Sequence, residues 1–155
     1  MRAVKLIITL LSLASASASS TRCCFAMRDA ANGRAIQQDS ESGLVFVQSS
    51  MPDAGRYCLD EKSVLWDAGN NACIIDSAFR FQCLDPTPGF GRWRLRRGAN
   101  GRTLLTVDGS ARFKACPAGE ADIAISGALK DDAPGCRALH LVASDLDGTC
   151  REYGS

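Results

Sequence analysis

The sequence predicts an all-β fold, and three observations carry the prediction. Apolar residues come in short bursts at about 8–12-residue spacing instead of the 3.6-residue period of an amphipathic helix. Several bursts alternate with period two, as in Phe79-Arg80-Phe81-Gln82-Cys83 and Trp93-Arg94-Leu95, which is the pattern of a half-buried strand. Turn chemistry fills the gaps: Asn32-Gly33, Gly69-Asn70-Asn71, Pro86-Thr87-Pro88-Gly89, Asn100-Gly101 and Asp108-Gly109.

In chain order the predicted strands are Cys24–Met27, Leu44–Val47, Tyr57–Leu59, Val64–Trp66, Cys73–Ile75 and Phe79–Leu84. They continue with Trp93–Leu95, Leu104–Val107, Phe113–Cys116, Ile123–Ile125 and Leu139–Val142. A burst-turn-burst rhythm starts near Cys24 and returns near Tyr57 and Trp93, in units of roughly 35–45 residues. Three such units suit a β-trefoil-like barrel with a triangular cap. That arrangement is preferred to a β-sandwich of the same strand count.

The first residues lie outside this pattern. Arg2 and Lys5 precede the apolar stretch Leu6–Leu13, and Ala14–Ala18 offers A-x-A cleavage sites. Residues 1–18 therefore read as a secretory signal peptide cleaved after Ala18, with Ala16 the alternative. The apolar stretch is too short to span a membrane, and no later segment predicts insertion after cleavage. Residues 19–155 are expected to form one domain, because each side of the Pro86–Gly91 loop is too short to fold alone.

Eight cysteines follow the signal: Cys23, Cys24, Cys58, Cys73, Cys83, Cys116, Cys136 and Cys150. An even count in a secreted chain predicts disulfides, with 105 conceivable connectivities for four bridges. Adjacent Cys23 and Cys24 are expected to bond to two different partners. There is no C-x2-C pair and only one histidine, so neither a metal site nor a cofactor is expected.

Lys and Arg number 18 against 17 Asp and Glu, a formal charge of +1, so no global field would recruit nucleic acid. The local exception is Gly91-Arg92-Trp93-Arg94-Leu95-Arg96-Arg97-Gly98. On a strand, Arg92, Arg94 and Arg96 share one face and Trp93 and Leu95 the other. This is an amphipathic strand with a basic outer face. Arg92, Arg94, Arg96 and Arg97 are also candidates for an acidic polysaccharide, phosphomannan or another anionic partner. Trp66 is a candidate for stacking on a sugar ring if exposed, although a core position is the simpler reading.

One motif points toward catalysis. Asp145-Leu146-Asp147-Gly148-Thr149 after an apolar run resembles the start of a haloacid-dehalogenase-like phosphohydrolase site. That chemistry needs a doubly wound domain downstream to supply a Ser or Thr, a Lys and further Asp residues, at a strand–helix crossover. An all-β, cysteine-rich chain does not provide it. The expected role is a terminal strand ending in an Asp-Gly turn that presents Cys150 for a bridge. His140, between Leu139 and Leu141, has no nucleophile to pair with and reads as a surface or structural residue. No catalytic residue is nominated.

With the strands placed, their motifs resemble, in order, the C-terminal domain of fungal PIR cell-wall mannoproteins and related small secreted ascomycete proteins. The resemblance runs through Cys24-Phe25, the Gly33–Gln38 segment, Tyr57-Cys58-Leu59, and Leu65-Trp66-Asp67 leading to Cys73-Ile74. It continues through Phe81-Gln82-Cys83-Leu84-Asp85, Trp93-Arg94-Leu95, Gly101–Leu104 and Phe113–Cys116. The tail, with Cys136, Leu139-His140-Leu141, Ala143–Leu146 and Cys150, is the best match. The resemblance implies a secreted, non-enzymatic, wall-associated protein, structural or glycan-binding, whose partners are wall polysaccharide or mannoprotein. The alternative is an effector or interaction module free in the medium. The family's Gln-rich repeats are missing, and Asp39-Ser40-Glu41 stands where relatives keep D-G-Q. An ester linkage to glucan is therefore doubtful here, despite Gln37 and Gln38.

Overall fold

Each of the eleven predicted bursts contributes to a strand in the computed structural model, which describes residues 21–48, 54–130 and 133–150. The expected signal peptide, 1–18, lies outside the described residues. The strands are β1 (Cys23–Asp29), β2 (Gln37–Gln38), β3 (Val45–Gln48), β4 (Arg56–Leu59), β5 (Leu65–Asp67), β6 (Ala72–Ile75) and β7 (Phe81–Asp85). They continue with β8 (Trp93–Arg97), β9 (Thr103–Val107), β10 (Phe113–Pro117), β11 (Ile123–Gly127), β12 (Arg137–Leu139) and β13 (Leu141–Gly148). The sequence reading missed β2, whose two glutamines carry no apolar alternation. It also merged β12 and β13, which part at His140.

All pairing is antiparallel, in an eight-stranded sheet ordered β7-β6-β5-β4-β1-β13-β9-β8 and a five-stranded sheet ordered β12-β10-β11-β3-β2. The all-β class is as expected; the closed barrel of the expected trefoil is not. Strands β5, β4, β1, β13, β9 and β8 lie side by side as barrel staves would. The gap between β8 and β5 is crossed by the Trp93 N–H to Ser63 carbonyl bond, at 2.9 Å, with no ladder. The hairpins β2–β3, β6–β7 and β10–β11 do meet one another. Cys83 N–H bonds the Gly43 carbonyl at 2.8 Å, Gly127 N–H bonds the Phe79 carbonyl at 2.8 Å, and β3 pairs with β11.

Three loops share one physical device. In each, an Asp carboxylate oxygen accepts the backbone N–H groups two and four residues on: Asp60 from Lys62 and Val64, Asp67 from Gly69 and Asn71, Asp76 from Ala78 and Arg80. The residue at the fourth loop position takes positive φ in all three: Ser63 at 64°, Asn70 at 59° and Phe79 at 62°. The carboxylate satisfies N–H groups that the tight loop would leave unpaired, which offsets a conformation uncommon for a side-chain-bearing residue.

Strand alternation puts Phe25, Tyr57, Leu59, Phe81, Trp93, Leu95, Leu105 and Phe113 inside. Trp93 stacks on Phe81 at 4.9 Å between ring centroids and on Phe113 at 6.4 Å, and its indole N–H donates to the Cys73 carbonyl at 2.8 Å. Four disulfides staple this core: Cys23–Cys150, Cys24–Cys58, Cys73–Cys83 and Cys116–Cys136. Adjacent Cys23 and Cys24 do take different partners. Cys24 and Cys58 face each other directly across β1 and β4, as Cys73 and Cys83 do across β6 and β7. Cys23–Cys150 spans 127 residues. On the chain-entropy scale a loop of that size is worth about 5 kcal/mol, the largest of the four. Gly148 permits this closure, since a Cβ there would sit 2.2 Å from the Arg22 carbonyl oxygen and its φ is +87°. The D-G of the D-L-D-G-T motif is thus explained by backbone crowding.

Trp93→Ala should destabilise by about 3–5 kcal/mol in chemical denaturation, as large aromatic truncations do. Trp93→Phe, which mainly leaves the Cys73 carbonyl unpaired, should cost about 1–3 kcal/mol. The Tyr57 hydroxyl is fully buried with no hydrogen-bond partner among the described residues. Burial, with the nearby Asp67 charge second, pushes its pKa well above the ordinary value. The folded state thus holds its phenol proton where the unfolded chain, titrating near 10, has lost it. Tyr57→Phe should equal or exceed wild type in stability below pH 10. Above it wild type should fall progressively behind, as read from denaturation midpoints.

Candidate cationic groove

The basic run is where the alternation argument put it. On β8, Trp93 and Leu95 are buried, while Arg94, Arg96 and Arg97, and Arg92 just before the strand, are exposed. β8 is the last strand of its sheet, hydrogen-bonded as a ladder to β9 alone. Charged side chains on such an edge discourage pairing with another chain's strand. That is a structural reason for the arginines, and it applies most directly to Arg92 and Arg94.

Arg96 and Arg97 differ. They form one wall of a cavity of about 690 Å³ that also takes in Gly98, Thr106, Asp108, Gly109, Arg112 and His140. A second cavity, of about 520 Å³, is lined by Arg112, Lys114, Arg137, Ala138 and His140, among others. Arg112 and His140 belong to both cavities, which makes them two lobes of one groove. Both volumes fall within the roughly 300–1,000 Å³ of ordinary ligand clefts.

Local chemistry builds each wall. Asp108 and Gly109 both have positive φ, 50° and 80°, which is the two-residue turn a twisted hairpin prefers. Val107 and Ser110 exchange backbone bonds of 3.0 Å across it. The Asp108 carboxylate accepts the Arg92 N–H at 2.8 Å, tying the turn to the start of β8. His140 sits where the chain leaves the smaller sheet at β12 and enters the larger one at β13. Leu139 and Leu141 are buried on either side, and the imidazole is exposed. Its Nδ1 lies 2.9 Å from the Ala111 carbonyl oxygen.

The charges in the groove are unevenly committed. Arg137 pairs with the buried Asp29 carboxylate, and Lys114 donates to the Lys130 carbonyl. Arg96, Arg97 and Arg112 make no ion pair among the described residues. Asp108 is the one carboxylate among the described residues lining either lobe. Three uncommitted guanidiniums, each a planar fork of donors, face a concave surface. Such an arrangement suits carboxylate, sulfate or phosphate groups.

Trp66 lies elsewhere, on β5. It is half-buried, donates its indole N–H to Asp60 at 2.8 Å, and has the Arg22 guanidinium carbon 5.3 Å from its ring centroid. It lines neither lobe. Asp145 and Asp147 lie exposed on β13, and Asp147 comes within 3.8 Å of Arg56. Among the described residues no three His, Cys, Asp or Glu side chains cluster to hold a metal ion. Sequence reasoning missed Arg112, Lys114 and Arg137. Arg112 and Lys114 flank buried Phe113 with the alternation that marks Arg92, Arg94 and Arg96, so the signal was there in shorter form.

The fold and site define a disulfide-stapled all-β protein with a two-lobed cationic groove. Comparison of the chain with protein-family models, with curated proteins and with solved structures finds no match in any of the three.

A carbonyl oxygen only accepts, so neutral His140 must carry its proton on Nδ1 and present a bare Nε2. Ring ¹⁵N shifts above pH 8 should show Nδ1 protonated and Nε2 unprotonated. The reverse pattern would remove the Ala111 contact.

Proposed function

We propose that this is a secreted, non-enzymatic protein of the PIR C-terminal type, held at a fungal cell wall by binding acidic wall polysaccharide or mannoprotein. The observation that carries the reading is the groove in which Arg96, Arg97 and Arg112 converge without ion-pair partners among the described residues. Four disulfides are compatible with an extracellular protein, since such bridges persist in oxidising compartments. The non-enzymatic part draws support from where the carboxylates go. Asp60, Asp67 and Asp76 close loops, and Asp145 and Asp147 lie exposed along a strand.

The test is retention of the mature protein on columns of phosphomannan, polygalacturonate, neutral β-1,3-glucan and chitin. Retention is expected on the acidic polymers and should decline from 50 to 500 mM salt, because exposed charge pairs are screened. The triple variant Arg96→Ala, Arg97→Ala, Arg112→Ala should lose at least about tenfold in affinity, the scale of a few charge-assisted bonds, with an unchanged melting profile. Free passage through all four columns would favour an effector free in the medium.

A further inference from the structure

We infer that the groove receives an acidic segment of polypeptide, whose carboxylates face Arg96, Arg97 and Arg112 while one large apolar side chain enters a separate apolar cavity beside them. The inference rests on the cationic groove of the wall-binding reading and narrows its partners to one, the polypeptide of an acidic mannoprotein.

The first ground is that second cavity. Ile75, Phe79, Val107, Ala128 and Leu129 line a space of about 290 Å³, with Asp108 and Ser110 as its polar members. Asp108 and Ser110 also line the larger lobe, so the hairpin turn after β9 is a wall common to both. Leu129 is 80% exposed, and Ile75, Phe79 and Val107 are half-buried, which leaves the apolar surface open to solvent. Exposed apolar residues grouped around a concavity mark an interaction site, where scattered single ones would not. The volume lies at the bottom of the roughly 300–1,000 Å³ range of small-molecule sites, which suits one side chain of a larger partner.

The second ground is Phe79. The three loops closed by Asp60, Asp67 and Asp76 place Ser63, Asn70 and Phe79 at the same positive-φ position. Asparagine enters that conformation readily, whereas a bulky aromatic residue there is an outlier. Gly127 N–H holds the Phe79 carbonyl at 2.8 Å and so fixes the strained residue against the hairpin of the smaller sheet. Ser63 and Asn70 close loops of the same design without an aromatic ring. The strain at Phe79 is accounted for by the apolar wall it supplies.

The third ground is the rim between lobe and cavity. Asp108 accepts the Arg92 N–H through one carboxylate oxygen, and its other oxygen has no hydrogen-bond partner among the described residues. A ligand that spans lobe and cavity passes this acceptor and must offer it a donor. A peptide carries an N–H at almost every residue and brings anionic and apolar side chains on one chain. An ionised fatty acid has no donor to place at Asp108, and an acidic polysaccharide has no large apolar side chain for the cavity.

The test is an array of octapeptides with two glutamates and one phenylalanine in every arrangement, the remaining positions serine, titrated with the mature protein by fluorescence anisotropy. The best binder should lose at least about tenfold in affinity when its phenylalanine becomes alanine, the scale of one buried aromatic side chain. It should lose at least about tenfold when both glutamates become glutamine. Phe79→Asn should melt no lower than wild type, because asparagine tolerates positive φ, yet bind the best peptide at least about fivefold more weakly. Leu129→Ser, at an exposed position, should weaken it at least about threefold. Neither variant should change the affinity of the alanine-substituted peptide by more than about twofold, as a double-mutant cycle requires of a direct contact. A best binder indifferent to its own phenylalanine, or to Leu129→Ser, overturns the apolar cavity as its site. Tighter binding of hexadecanoate than of any peptide in the array overturns the choice of polypeptide. If no peptide binds while phosphomannan or polygalacturonate columns retain the protein, this inference fails and wall binding stands. Peptide binding with free passage through every column upholds the inference and makes the protein an interaction module free in the medium; if neither occurs, both readings fail.

Discussion

Trp93 holds the two ends of the larger sheet together, and much of the molecule is arranged around that contact. The residue belongs to β8, at one end of the strand order, and stacks on Phe81 of β7, at the other. Its backbone N–H reaches Ser63 and its indole N–H reaches Cys73, so one residue replaces the ladder that a closed barrel would have between β8 and β5. Phe113 of the third hairpin joins the same stack. Because successive side chains of a strand point to opposite faces, burying Trp93 and Leu95 obliges Arg94 and Arg96 to face outward. Core packing and surface charge are thus set by one register.

The near-neutral formal charge conceals an asymmetry in how the two signs are used. Many of the aspartates serve the backbone: Asp60, Asp67 and Asp76 each accept loop N–H groups, Asp29 holds Arg137, and Asp108 receives Arg92 N–H. Asp60, Asp67 and Asp76, occupied in this way, close loops and line neither lobe of the groove. Among the described residues, Arg96, Arg97 and Arg112 make no ion pair. A chain with net charge +1 therefore carries a concentrated positive surface, since attraction for an anion depends on local charge and dielectric more than on the total.

Legibility varied with the physical range of each signal. The apolar bursts report only whether a residue has one buried face, which is a local property, and all eleven contributed to strands. Gln37-Gln38 pairs with Val45 and Phe46 without an apolar pattern of its own, so nothing marked it. Leu139–Val142 reads as one strand because both of its leucines are buried; its division at His140 follows from β12 pairing with β10 while β13 pairs with β1 and β9. The cysteine count announced bridges, yet pairing depends on which Cα atoms come within reach, such as the 4.5 Å between Cys23 and Cys150.

The sequence by itself determined that this is an all-β, disulfide-bonded chain with outward-facing arginines on one strand, because alternation, turn residues and cysteine number act within a few residues of themselves. Only the tertiary structure decided that Arg96 and Arg97 meet Arg112 and His140 while Trp66 stays apart. Those residues come from β8, from the approach to β10 and from the junction of β12 and β13. What joins them is a change of sheet at a single histidine, a long-range event that no local pattern encodes.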